Sequence, residues 1–110
     1  LSARRDFSDV RGVIRAYVSL VTSGEPGEVY NIGKGESHAI QDVLDGLLAL
    51  SHVPIKVRQD SARMRPSDIP EVICDASRLQ ACTGWRPTIS FEQSLHDVLE
   101  YWRQETEEQA

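Results

Sequence analysis

The stretch VRGVIRAYVSLVTSGEPGEVYNIGKGESHAIQDVLDGLLAL (residues 10–50) decides the fold class, because its hydrophobic period changes twice. Val13, Ile14, Tyr17, Val18 and Val21 recur at helical spacing, Asp9 stands where a cap is needed, and Gly24, Pro26 and Gly27 end the run. Residues 28–32 follow with the β-formers Val29 and Tyr30, and Gly33, Lys34 and Gly35 make a tight turn. Ile40, Val43, Leu44, Leu47 and Leu48 then fall at i, i+3, i+4, i+7 and i+8, with Gln41, Asp42 and Asp45 on the other side. Two amphipathic helices joined through a strand predict a small α/β or α+β domain.

Upstream, RRDFS is short and carries an aromatic, which fits a strand ending near Ser8. Downstream, Val53 and Pro54 break the second helix, residues 55–58 alternate as a third strand, and residues 60–70 form a long loop holding Arg63, Arg65, Pro66, Asp68 and Pro70. Asp75 is placed to cap a short helix through Cys82, which Gly84 ends. Ser90 and Gln93 fit the S-x-x-Q capping box of a final helix striped by Phe91, Leu95, Val98, Leu99 and Trp102. Glu105, Thr106, Glu107 and Glu108 read as its frayed, solvated end. The expected order is β-α-β-α-β-loop-α-α without internal repeats.

At 110 residues, 40% of them hydrophobic, the chain makes one foldable domain and has no room for a two-domain enzyme. A core burying roughly two-thirds of the unfolded surface is expected at this size. Twelve Lys and Arg against 17 Asp and Glu give a net charge of -5, which argues against nucleic acid as a partner. No apolar run is long enough for a membrane span and no signal-peptide pattern is present, so a soluble, cytoplasmic protein is expected. Cys74 and Cys82 lack C-x-x-C spacing and read as idle thiols, and His38, His52 and His96 lack metal-ligand spacing, so no metal is expected.

Two motifs imitate dehydrogenase chemistry. Tyr30 and Lys34 have Y-x-x-x-K spacing, but that proton relay needs a helix and the flanking residues read as strand and glycine turn, leaving Tyr30 a packed residue. Gly33-Lys34-Gly35 starts like G-x-G-x-x-G and then meets His38. The informative feature is charge placement. Arg4, Arg5, Arg11 and Arg15 lie in the first fifteen residues, and Lys56, Arg58, Arg63 and Arg65 lie within ten others. Such guanidinium forks suit a diphosphate. They equally suit ordinary surface ion pairs with Asp6, Asp9, Asp60 and Asp68.

From RRDFSDVRGV onward the chain resembles the extended short-chain dehydrogenase/reductase superfamily, the NAD-dependent epimerase/dehydratase group that acts on nucleotide-activated sugars. GEVYNIGKGES is similar to that group's strand and glycine turn, and IQDVLDGLLAL to its following helix. RMRPSDIPEVICDASRL is similar to its nucleotide-gripping loop, and GWRPTISFEQSLHDVLEYWR to its closing segment. RPSDIP and the YWR ending most resemble the branch handling GDP-linked 6-deoxymannose as reductases and dehydratases.

The resemblance implies that residues 1–110 are the smaller, nucleotide-sugar-binding C-terminal domain, without the Rossmann domain that holds the nicotinamide cofactor and catalytic residues. The first residue, Leu1, and the likeness of LSARRDF to the interior of a family strand lead us to expect a truncated chain, natural, engineered or proteolytic. Arg5 and Arg65 match positions that contact the nucleotide diphosphate. Asp68 stands where the family usually has a ribose-binding Glu and reaches one methylene less, while Gly12 stands where it usually has Asp. No catalytic, cofactor-binding or metal residue is expected, and NAD(P)H is implied only for the intact enzyme. By this reading the chain is the substrate-binding portion of a GDP-4-keto-6-deoxymannose-type reductase, inactive alone and binding a GDP-linked sugar weakly. The alternative is a non-catalytic domain or gene remnant that self-associates through surface a Rossmann domain would cover.

Overall fold

The structure is a computed structural model, and it describes residues 1–63 and 69–109. Its elements are strand β1 (Arg4–Arg5), helix α1 (Val10–Ser23), strand β2 (His38–Ala39), helix α2 (Ile40–Leu50), a 3-10 turn (Ser61–Arg63), helix α3 (Ser77–Thr83) and helix α4 (Phe91–Gln109). It is a small mixed α/β fold.

The helices follow the sequence closely because their ends are chemically marked. The Asp9 carboxylate accepts the Arg11 N–H at 2.9 Å and starts α1, which Gly24 stops. Asp75 accepts the Ser77 N–H at 3.0 Å at the head of α3, and Gly84 leaves that helix in the left-handed region at φ 75°. Ser90 Oγ accepts the Gln93 N–H at 3.0 Å, but the Gln93 side chain turns to Asp97, donating its amide there instead of accepting the Ser90 N–H, so only half the expected box forms. Helix α4 also runs on to Gln109, so the acidic tail read as frayed is helical. Helix α2 has Ala39 at its cap, and its first amides find other partners. Ile40 and Gln41 donate to the carbonyls of Ala3 and Leu1, each at 3.0 Å, while Asp42 accepts the Ala39 N–H.

The strands depart from expectation. Antiparallel pairing joins Arg4 to Ala39 and Arg5 to His38, so the partner of the N-terminal strand lies beyond the glycine turn. On its other side β1 is flanked by residues 70–72: Arg4 N–H donates to Pro70 O at 2.8 Å, and Val72 N–H to Arg4 O at 3.0 Å. Residues 28–32 and 55–58, both expected as strands, pair with no strand among the described residues. β-propensity is present in both, but a ladder requires a neighbour.

Ala16 and Leu79 are fully buried, and with Ala76 and Trp85 they form the core between α1 and α3, against which Leu20, Tyr30, Ile32 and Cys74 pack. Trp85 Nε1 donates to Gly12 O at 3.0 Å, so the residue expected to be Asp in the family is here a small contact under an indole. A second contact joins α2 to α4 where Gly46 faces Leu95. A Cβ there would lie 2.6 Å from Leu95 Cδ1. Helix α1 buries Gly12 and Ala16 and turns the striped face Ile14, Tyr17, Val18 and Val21 to solvent, the reverse of the expected burial.

Candidate functional site

The site grows from β1. Arg4 and Arg5 alternate across the strand, so their side chains leave opposite faces. Arg4 is committed to structure: Nε meets Glu71 at 3.2 Å and Ser37 Oγ at 3.1 Å, and Nη2 donates to Ser37 O. Arg5 is half-buried and donates Nη1 to Arg4 O at 2.7 Å, which folds its guanidinium back along the strand. The hydrogen bonds of Arg4 to Pro70 and Val72 therefore tie the downstream end of the 60–70 loop to the residue next to Arg5. Arg65 and Asp68, the other two expected site residues, lie outside the described residues.

Asp6 is the organiser that sequence reading passed over, having treated it as an ion-pair partner for arginine. Its carboxylate accepts three backbone amides, from Lys34 at 3.0 Å, Gly35 at 2.8 Å and Cys74 at 3.1 Å. One side chain thus fastens β1, the glycine turn and the stretch before α3 together. The signal was available in outline, since an Asp beside a strand and a G-x-G turn is a common way to fill such a nest of amides. Gly33 completes the junction: a Cβ there would sit 2.3 Å from Cys74 Cβ, so no larger residue fits without moving the chain.

The turn amides that a dinucleotide pyrophosphate would need already serve Asp6, so the turn is not a phosphate cradle. Tyr30 and Lys34 do not meet. Tyr30 OH accepts the Glu25 N–H at 3.0 Å and donates to Cys82 Sγ at 3.4 Å, which pushes the phenol pKa up, while Lys34 Nζ pairs with Glu36 at 3.1 Å. That Lys34 contact, followed by His38, holds the Glu36 carboxyl below its usual range. Partial burial, with Asp6 and Asp75 nearby, pushes the Cys74 thiol up and away from reactivity. Among the described residues no group of three His, Cys, Asp or Glu is placed to hold a metal ion, and no helix is long and apolar enough to cross a membrane.

The remaining arginines divide. Arg11 forks onto Asp9 at 2.8 Å and Asp97 at 2.7 Å, and Arg78 meets Glu28 at 3.3 Å, the ordinary ion pairs that net charge allows. Arg15 and Arg86 line one cleft, and the hydrogen bonds they donate go to carbonyls, Arg15 to Arg86 O and Arg86 to Trp85 O, both at 3.2 Å.

Comparison with known proteins gives this geometry its family. A GDP-6-deoxy-D-mannose reductase of Pseudomonas aeruginosa is 36% identical over 109 residues, covering 99% of this chain and 36% of the relative. The structure of RMD from Pseudomonas aeruginosa complexed with NADPH superposes with a TM-score of 0.87 at 35% identity, covering 94% of this chain and 34% of that one. UDP-glucose 4-epimerase from Thermotoga maritima with UDP-glucose superposes at 0.73 and 26% identity, over 96% of this chain and 33% of that one. The chain thus spans about a third of the length of these relatives. The sequence profile of GDP-mannose 4,6 dehydratase matches residues 1–98, and the chain belongs to that family, within the extended short-chain dehydrogenase/reductase group.

Proposed function

We propose that residues 1–110 form the nucleotide-sugar-binding domain of a GDP-linked 4-keto-6-deoxymannose-type reductase. Arg5 and Arg65 clamp the diphosphate and Asp68 grips the ribose. The observation that supports this most is the pair of backbone hydrogen bonds that flank Arg4, its N–H donating to Pro70 O and its carbonyl accepting the Val72 N–H. Pro70, two residues past Asp68 in the sequence, is held beside the strand that carries Arg5. Two guanidinium forks near a sugar hydroxyl acceptor match a nucleoside diphosphate better than an isolated phosphate.

The chemistry of such a reductase is hydride transfer to the C4 carbonyl, which NAD(P)H supplies when bound. In this reading the nicotinamide cofactor is held by a Rossmann domain outside these residues, and this chain binds and orients the substrate without catalysing. A cytoplasmic setting belongs to the same proposal. So does self-association, which the solvent-facing apolar stripe of α1 favours.

Calorimetric titration with GDP tests the clamp. Half a pocket should bind with a dissociation constant near the millimolar range, about 4 kcal/mol. Arg5→Ala and Arg65→Ala should each weaken binding about tenfold, the scale of one hydrogen bond to a charged group. Equal heats for wild type and both variants, or no heat at millimolar GDP, would remove the proposal.

A further inference from the structure

We infer that His38 is a positioning residue for Arg5, its ring pinned flat on Phe91 to form a wall against which the arginine side chain is set. This rests on Arg5 being a diphosphate ligand, as proposed above, and adds a residue that acts on the ligand only through that arginine.

Strand β1 is two residues long, so little of its own structure fixes where Arg5 points. Its partner strand does more. Arg5 stands directly opposite His38 in the antiparallel pair. Opposed residues of such a pair share a face, with Cβ atoms roughly 4.5–5.5 Å apart, so the imidazole and the arginine stem are neighbours. The imidazole is held from two sides. It stacks on Phe91 with ring centroids 3.8 Å apart and planes 5° from parallel, and its Nε2 reaches Glu36 Oε1 at 3.4 Å. Glu36 is in turn held by Lys34 Nζ at 3.1 Å. Phe91 is 9% exposed, opens helix α4, and also meets Phe7, two residues past Arg5, at 6.0 Å and 49°. The aromatic platform therefore flanks Arg5 both across the strand pair and along its own chain. These contacts are internal to the chain and do not depend on what covers its apolar outer faces.

A long arginine loses rotamer freedom when it binds a phosphate, and a wall that has already removed part of that freedom strengthens binding without touching the ligand. Arg5 is half-buried and donates Nη1 to Arg4 O at 2.7 Å, as expected of a side chain confined on one face. A stack that merely fastened β2 to α4 would change stability and leave the affinity of the folded domain where it was.

Titration of the full chain with GDP, followed by NMR through the millimolar range, tests this, with circular dichroism confirming that each variant is folded. His38→Ala should weaken GDP binding about threefold to tenfold. His38→Phe keeps a flat ring on Phe91 and should restore affinity to within about twofold of wild type. Added to Arg5→Ala, the His38→Ala change should cost nothing more, because it acts through the arginine. In wild type, nuclear Overhauser contacts should join the His38 ring to the Arg5 side chain, a readout that no variant's folding can obscure. Their absence would overturn the positioning role. So would GDP affinity unmoved by His38→Ala, a Phe variant no better than the Ala one, or an additive loss in the double variant, while a weakened Arg5→Ala would still uphold the clamp. GDP affinity that Arg5→Ala leaves unchanged, or no binding by wild type, would overturn both.

Discussion

Asp6 and Gly33 show how much one residue decides here. The three amides that Asp6 accepts come from segments 28 and 68 residues away in sequence, so a single carboxylate replaces the ladder that a two-residue strand cannot supply. Gly33 lets that junction close. Gly33→Ala would drive a methyl into Cys74 at a carbon bonded directly to its backbone, so the contact cannot be relieved by a rotamer change. Thermal denaturation should show a loss of about 1–3 kcal/mol, the scale of overpacking. An unchanged midpoint would mean the glycine turn and the stretch before α3 are further apart than described. Gly46→Ala should cost less, since it meets only the movable tip of Leu95 and gains helix propensity.

Helix α1 is held at its head by charge and along its length by small residues. Asp9 caps it, accepts Arg11 through both oxygens, and receives the Ser94 hydroxyl at 2.7 Å, linking α1 to α4. The Arg11 guanidinium, first, and Ser94 hold the Asp9 carboxyl well below the usual range despite its partial burial. Arg11 likewise lowers Asp97. A depressed folded-state value means that these carboxylates stabilise the fold above the unfolded value of about 3.9 and cease to do so as pH falls below it. Stability should therefore be flat from pH 7 to about 5 and decline through pH 4. Asp9→Asn should lower stability at pH 7 and flatten the acid limb, read from urea midpoints across pH. An acid limb as steep in the variant as in wild type would remove Asp9 from that role. Spacing identified this helix, its cap and its stop, yet it could not say which face is buried. Val13, Ile14, Tyr17, Val18 and Val21 look like a core stripe, whereas Gly12 and Ala16 are what α3 and Trp85 can approach closely.

At the scale of the whole molecule the chain is open. Its radius of gyration is 17.2 Å, with extents of 49 × 38 × 20 Å, against about 13 Å for a compact domain of this length. The buried apolar set is a handful of residues, and large apolar side chains from Val10 to Trp102 face solvent. The expectation that two-thirds of the surface would be buried overstated the core. Small-angle scattering at the lowest workable concentration should give a radius near 17 Å that rises with concentration. A value near 13 Å at every concentration would contradict both the open shape and the association drawn from it.

What the sequence determined by itself is what local forces determine. Four helices, their caps at Asp9, Asp75 and Ser90, and their stops at Gly24 and Gly84 were legible, because a helix closes its hydrogen bonds four residues away and its ends are satisfied by near neighbours. The R-D-F segment and the Gly-Trp-Arg-Pro turn were also legible as family marks. The tertiary structure alone decided the rest. It chose His38–Ala39 as the partner of β1, left residues 28–32 and 55–58 unladdered, drew Asp6 away from arginine to three amides, and turned the apolar stripe of α1 outward. Each of those outcomes depends on which distant segment arrives alongside. A strand without a neighbour, or a helix with two apolar faces, carries no local record of the answer.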